Sequence, residues 1–278
     1  MRISRNILRT TAVAGLAAVT LAACGGTASE ARPSRAEATA KPTVVLVHGA
    51  WADGSSWAPV ADRLQGAGFT VDIEPNPLRG LASDVRYLKD YLASVAGPVV
   101  LVGHSYGGMV ITAAATGNAN VKALVYVNAY IPQQGDTIEK LTAAQPGSAL
   151  DPKKSIDAVP IRDASGKDID VDVYVKRAEF ARLFAAGIPA GTAAALAASQ
   201  RPLTLSSLTE PFTAVPAWTT IPSWAFIGSA DRVLPPNEQQ VMAGRAHAHV
   251  VRGPAPHLSM VSSPTAVTAV ISDAARQR

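Results

Sequence analysis

The chain has 278 residues, 48% of them hydrophobic, enough to bury one large core with length left for an insertion. Its formal charge of +4 invites a nucleic-acid or membrane partner, yet Arg2, Arg5 and Arg9 supply three of its 25 basic residues before the first acid, Glu30. Setting those three aside leaves 22 bases against 21 acids, so the body is nearly neutral and its balance speaks against a polyanion partner.

The basic start belongs to what reads as an export signal. The arginines precede an uncharged run from Thr10 to Ala23, rich in Ala, Val and Leu and too short for a comfortable membrane span. The run ends in Leu21-Ala22-Ala23-Cys24, which resembles the processing box of bacterial lipoproteins, where the cysteine is lipidated and becomes the new N-terminus. Cys24 is the only cysteine. The competing reading is an ordinary signal peptide cut nearby, with an incidental cysteine. Either way residues 1–23 are a signal peptide and the mature protein is exported, to the cell envelope, periplasm or medium, without an internal disulfide. Membrane contact is expected only through the lipid anchor. Residues 24–41, small and polar without periodicity, read as a flexible tether.

The first part of the folded body spans 42–130. Thr43 to Val47 is a buried strand running into His48-Gly49-Ala50-Trp51. Gly49 lets the backbone fold back so that the next N–H points outward; Ala50 is the first candidate donor to an oxyanion and Trp51 the second. His48 is expected to brace this loop. Trp57 to Gln65 reads as a helix closed by Gly66-Ala67-Gly68, and Phe69 to Ile73 alternates like an edge or half-buried strand. After the turn at Asn76-Pro77-Leu78, the spacing of Leu81, Val85, Leu88, Leu92 and Val95 predicts an amphipathic helix. Val99 to Val102 is a strand apolar on both faces, and it leads into Gly103-His104-Ser105-Tyr106-Gly107-Gly108 and a helical run from Met109 to Thr116. A serine between strand and helix needs small neighbours, because so sharp a turn has no room for extra Cβ atoms. Such a turn lifts the hydroxyl clear of the backbone and aims the following N–H groups at an oxyanion. Val121 to Val127 is the next strand. Strand and helix alternate without an internal repeat, which predicts an α/β fold with a mostly parallel sheet covered by helices on both faces.

From Ile131 to Ala217 the alternation is lost. The segment holds Pro-Gly and Asp-Pro turns, a charged polar stretch from Lys153 to Asp172, and helical pieces at Tyr174 to Ala186 and Thr192 to Gln200. It reads as a mainly helical cap inserted over the carboxyl ends of the strands, the alternative being a separate domain. Residues 218–278 resume the core: a strand at Ser223 to Gly228, a helix to about Gly244, a last strand from His247 to Arg252, and a C-terminal helix beginning near Pro264.

A serine hydroxyl is a poor nucleophile at neutral pH, so it needs a base, and the base needs an acid to fix its tautomer. In this chain order the acid follows a later strand and the histidine the last one. Asp231 and His257 stand at those places. Asn128 cannot act as a carboxylate, and Asp136 lies deeper in the cap, where it is expected to be solvated. His104 is expected to brace the turn. His247 and His249 have a His-X-His spacing but no accompanying cysteine or carboxylate cluster, so no metal is expected. No cofactor or nucleic-acid motif is present.

Together, His48-Gly49-Ala50-Trp51, Gly103-His104-Ser105-Tyr106-Gly107-Gly108, Asp231 and His257-Leu258-Ser259-Met260 resemble the α/β-hydrolase superfamily. More narrowly they resemble its bacterial esterase-like group, related to plant methyl esterases and hydroxynitrile lyases. The likeness runs from about Pro42 to Arg276 and includes Asn76-Pro77-Leu78 and Gln200-Arg201-Pro202. It implies the α/β-hydrolase fold, with Ser105 as nucleophile, His257 as base, Asp231 as orienting acid, and the N–H groups of Ala50 and Tyr106 as oxyanion hole. The lyases keep a lysine directly after the histidine, where this chain has Leu258, which favours ester hydrolysis. Ser105 excludes the covalent carboxylate chemistry of dehalogenases and epoxide hydrolases. The expectation is therefore a hydrolase of small, fairly apolar carboxylic esters working through an acyl-enzyme. Lyase, carbon–carbon hydrolase or perhydrolase chemistry on the same triad is one alternative, and a non-catalytic ligand-binding protein is another. Trp51 and Tyr130 are candidate pocket residues; Phe180 and Phe184, four apart, read as packing the cap on the core.

Overall fold

Strands apolar on both faces are stable only inside a sheet covered on both sides, and that is where they lie. The computed structural model describes residues 41–277; the leader, Cys24 and the tether through residue 40 lie outside the described residues. In chain order the core begins with β1 (Thr43–Val47), a short 3₁₀ turn, α1 (Ala58–Gly66), β2 (Val71–Glu74), α2 (Leu81–Ser94), β3 (Val99–His104), α3 (Gly107–Ala114) and β4 (Val121–Val127). The sheet has the order β2-β1-β3-β4, continued by β8 (Ser223–Gly228) and β9 (His249–Gly253), and every neighbouring pair is parallel. Val45, Leu46, Leu101 and Val102, on the inner strands β1 and β3, are wholly buried.

Strand order sets the place of the site. β2 and β3 flank β1 on opposite sides, so the two crossovers run in opposite directions. Both being right-handed, they put α1 on one face and α2 with α3 on the other. A crevice opens at the carboxyl ends of β1 and β3, where ligands bind in open α/β sheets. These strands pair from Thr43 with Val99 to Val47 with Gly103, so the loop after β1 meets the turn after β3.

The cap follows β4. It contains α4 (Ile138–Ala143), α5 (Pro152–Ser155), β5 (Ile156–Arg162), β6 (Asp168–Val175), α6 (Arg177–Leu183), α7 (Ala190–Ser199), β7 (Leu203–Thr204) and α8 (Ser206–Thr209). The core then resumes with β8, α9 (Pro236–Arg245), β9, α10 (Ser259–Ser262) and α11 (Pro264–Arg276). Helices carry most of the ordered cap, but the polar stretch from Lys153 to Asp172 is not a loop. Most of it forms an antiparallel hairpin in a sheet of order β5-β6-β7. Tyr174 accordingly belongs to a strand and the helix expected there starts at Arg177. The signal was the strict alternation of Asp168-Ile169-Asp170-Val171-Asp172-Val173, masked by its charge; of its apolar members Val173 is buried and Ile169 stays exposed. Pro160 sits in β5, at the sheet edge, where a missing N–H costs no ladder bond.

Polar ties join cap and core. Arg79 pairs with Asp172 at 2.7 Å and donates to the Pro202 carbonyl, while the Glu210 carboxylate accepts the N–H groups of Leu81 and Ala82 at the start of α2. Asp136, expected to be solvated, is instead held by Arg245 at 2.9 Å, because α9 packs beneath the entry to the cap. The described residues, cap and core together, fall in one compact unit.

Candidate active site

The turn between β3 and α3 places Ser105 at φ +51°, a left-handed conformation that is strained for a residue with a side chain. The surrounding glycines make it possible. A Cβ on Gly103 would lie 2.7 Å from the Gly107 carbonyl, and one on Gly108 would lie 2.1 Å from that of Tyr130. A Cβ on Gly49 would meet the Ser105 side chain itself at 2.7 Å. The loop after β1 thus touches the serine through a residue that must lack a side chain.

Two further loops complete the cluster. β8 and β9 pair up to Gly228 with Gly253, and beyond them Ser229 and Ala230 donate to the carbonyls of Gly253 and Ala255. This brings the loop bearing Asp231 beside the loop bearing His257. His257 Nε2 lies 3.0 Å from Ser105 Oγ and its Nδ1 lies 2.8 Å from Asp231 Oδ2. Both partners of that acid–imidazole pair are buried. The Asp231 carboxylate also accepts the N–H groups of Val233 and Leu234 and the side-chain amides of Asn128 and Gln239. Five donors fix its orientation, so the imidazole it holds presents Nε2 to the serine. Such an arrangement can take a proton from Ser105 and return it to a departing group.

Backbone donors face the same space. The N–H groups of Ala50 and Tyr106 have no partner among the described residues, and both residues line the cavity beside Ser105. Trp51, the second candidate donor, is unsuitable: its N–H is taken by the Arg201 carbonyl at 2.9 Å. Its indole N–H donates to the Val173 carbonyl at 2.8 Å. Trp51 therefore ties the loop after β1 to two points of the cap, one within Gln200-Arg201-Pro202. Gln200 in turn caps the end of β6 by exchanging hydrogen bonds with the backbone of Val175.

The other histidines do not face the cavity. His48 accepts the Asn76 N–H on Nε2 and lies 2.9 Å from the Gly49 carbonyl through Nδ1, and burial lowers its pKa. It braces the loop. His104 reaches the His257 carbonyl through Nε2 at 3.0 Å; burial, with His257 beside it, holds its pKa well below the ordinary imidazole value. The neutral ring donates to the loop that carries His257. His249 stacks on Trp224 and His247 turns the chain before β9. Among the described residues no group of three or more His, Cys, Asp or Glu side chains could hold a metal ion.

Above Ser105 lies a cavity of about 800 Å³. The core contributes Ala50, Trp51, Tyr106, Tyr130 and Val233; the cap contributes chiefly Ile138, Leu150, Ile156, Val173, Leu203 and Leu208. Tyr130 OH lies 2.7 Å from Thr142 Oγ1, so its polar end is satisfied within the wall. Glu139 and Asp170 are the only charged residues on the lining. Phe180 and Phe184 are not on it: they stack on each other, and Phe184 packs against Trp51 and His257.

Sequence reasoning missed Asn128 and Gln239, whose amides flank Asp231, and Asp84, which accepts the Tyr106 hydroxyl. Asp84 did leave a signal: it follows Leu81 by three positions and precedes Leu88 by four, a charge on the apolar face of α2. Gln239 left none, since nothing local distinguishes it from a surface glutamine.

Over 110 residues the chain is 37% identical to the carbendazim hydrolyzing esterase of Nocardioides sp. (strain SG-4G), an alignment covering 35% of this chain and 46% of that protein. This chain thus matches less than half the length of that relative. Among solved structures, polyneuridine aldehyde esterase superposes with a TM-score of 0.72 at 19% identity, over 84% of this chain and 98% of that one. A pyrethroid hydrolase from Sphingobium faniae JZ-2 does so with a TM-score of 0.66 at 22% identity, over 84% and 97%. These likenesses establish the fold. The match to the Alpha/beta hydrolase family runs over residues 44–270, from β1 into α11 and through both the Ser105 turn and the His257 loop, and this chain belongs to that family.

Proposed function

We propose that the protein is a serine esterase acting on an uncharged carboxylic ester with a bulky apolar group. The observation that carries this reading is the unbroken chain of contacts from Ser105 through His257 to Asp231, beside two unpartnered N–H groups that face the same cavity. Ser105 Oγ attacks the ester carbonyl carbon while His257 Nε2 takes its proton. The oxyanion so formed is held by the Ala50 and Tyr106 N–H groups, each worth about 3 kcal/mol when well placed. The tetrahedral intermediate collapses, the alcohol leaves with the proton from His257, and a water activated by the same imidazole releases the acid. Asp231 keeps the imidazole in the required tautomer and balances its transient charge.

The substrate class comes from the cavity. At about 800 Å³ it is larger than a small ester requires, so the group accommodated is of drug-like size. Its walls are chiefly apolar and its two charged residues are acidic, which disfavours an anionic substrate. The named relatives, a carbendazim hydrolyzing esterase and a pyrethroid hydrolase, support the esterase reading.

Hydrolysis of a graded series of p-nitrophenyl esters tests it. Activity should rise with acyl bulk before falling, and Ser105→Ala should abolish both turnover and labelling by a fluorophosphonate. Undiminished hydrolysis by that variant would sink the assignment. We also propose that the mature protein is exported and anchored by lipid on Cys24; loss of labelled-palmitate incorporation in Cys24→Ala is the check, and unchanged incorporation refutes it.

A further inference from the structure

Asp84 has no part in the relay just described, yet it is fully shielded from solvent, and among the described residues no cationic side chain pairs with it. A lone buried carboxylate is costly and persists only where hydrogen bonds compensate it. Both of its oxygens are occupied. Oδ2 accepts the Tyr106 hydroxyl at 2.8 Å; Oδ1 accepts the Arg79 N–H at 3.1 Å, with the Ser83 hydroxyl at 3.4 Å. Burial raises the pKa of Asp84, and burial together with the Asp84 carboxylate raises that of Tyr106 well above its ordinary value, so the phenol remains the donor.

Tyr106 follows the strained Ser105, and its own N–H has no partner in the chain. One Cα therefore joins an N–H open to the cavity and a ring tied by its hydroxyl to α2. The tie limits rotation about the Tyr106 N–Cα bond, which sets where that N–H points. A left-handed serine survives only when its surroundings over-determine it, and the Asp84 bond is an anchor on the side that the glycines leave open.

We propose that Asp84 is a positioning residue for the oxyanion site, holding the Tyr106 N–H in line through the Tyr106 hydroxyl. The proposal rests on the reading of Ser105 as nucleophile and on Tyr106 as one of its two oxyanion donors. Asp84 touches no substrate. It acts through the ring of its neighbour, from a helix whose N-terminus is itself capped by Glu210 of the cap.

The test uses Tyr106→Phe, Asp84→Asn and the double variant. The amide offers one acceptor oxygen where the carboxylate has two, so it cannot accept from both Tyr106 and Arg79, and the bond to Tyr106 survives only reversed, as a weaker neutral one from Nδ2 to the hydroxyl oxygen. Each single variant should lower kcat about 10- to 30-fold with KM changed less than about twofold, because the interaction matters most when charge develops on the oxygen. The rate of fluorophosphonate labelling at Ser105 should fall in parallel, and the double variant should be no worse than the poorer single. Folded variants that label at the wild-type rate would overturn the proposal, as would additive losses in the double variant. Should Asp84→Asn fail to fold, Tyr106→Phe decides alone, since it removes a single oxygen. Wild-type protein that takes the fluorophosphonate but hydrolyses no ester would retire the esterase reading and leave the labelling comparison as the test of Asp84.

Discussion

Phe184 of the cap stands edge-on to the ring of His257, with centroids 5.0 Å apart and planes at 88°, and its carbonyl accepts the N–H of Leu258. The imidazole is thus gripped by Asp231 at one nitrogen and by a cap aromatic across its face. Phe184→Ala should cost about 3–5 kcal/mol of stability, because the side chain is fully buried. If the contact also steers the base, Phe184→Leu, which keeps most of the volume, should lower kcat more than it raises KM. Chemical denaturation together with steady-state kinetics separates the two, and an unchanged kcat in Phe184→Leu would reduce the residue to packing.

Ser105 holds its left-handed backbone at a cost in stability. Glycine adopts that conformation freely, whereas in ordinary positions it is about 1 kcal/mol less stable than alanine. Both Ser105→Gly and Ser105→Ala lose the hydroxyl, so their comparison isolates the backbone. Ser105→Gly should be at least as stable as Ser105→Ala in denaturant unfolding. A glycine variant weaker by the ordinary margin would show that the turn carries no strain.

Glycines of this chain should respond in opposite ways to a single methyl group. Gly108→Ala drives a Cβ to 2.1 Å from the Tyr130 carbonyl, backbone that cannot move without opening the turn. Loss of labelling and a large loss of stability are expected. Gly191 in α7 and Gly244 in α9 have open space around the corresponding position and ordinary φ. Alanine there should add about 0.4–1 kcal/mol each, by restricting the unfolded chain. Thermal unfolding of the three variants checks the contrast.

The neutral, buried His104 and His48 make stability depend on pH. Each has a folded pKa below the 6.5 of an exposed imidazole, chiefly through burial, so below 6.5 the unfolded chain binds more protons than the folded one. Their contribution is complete above that value and is lost as the pH falls towards the folded pKa. The raised carboxyls of Asp84, Glu74 and Glu238, shifted chiefly by burial, act in the opposite sense, and they are common to the wild type and a histidine variant. His104→Gln retains a donor towards the His257 carbonyl but removes one titration. Between about pH 7 and pH 5.5 its unfolding free energy should fall less steeply than the wild type's, by up to about 1.4 kcal/mol per pH unit. Parallel curves would show that His104 is not held neutral.

What the amino-acid sequence determined by itself was the order of parts. Contiguous apolar runs can only be inner strands, and glycines around Ser105 can only mean a turn too tight for side chains. The positions of Asp231 and His257 after late strands followed from the same local pattern. Each of these is a property of neighbouring residues, which is why it was legible. The tertiary structure decided what depends on residues distant in the chain. It left the Ala50 N–H open and gave that of Trp51 to Arg201, and it turned a charged stretch into a hairpin by pairing Asp168–Val175 on both sides. It withdrew Asp136 from solvent and closed Asp84 against Tyr106. Burial and hydrogen-bond partners belong to the packed chain, so a polar residue such as Asp84 declares its role only when the sheet, α2 and the cap have enclosed it.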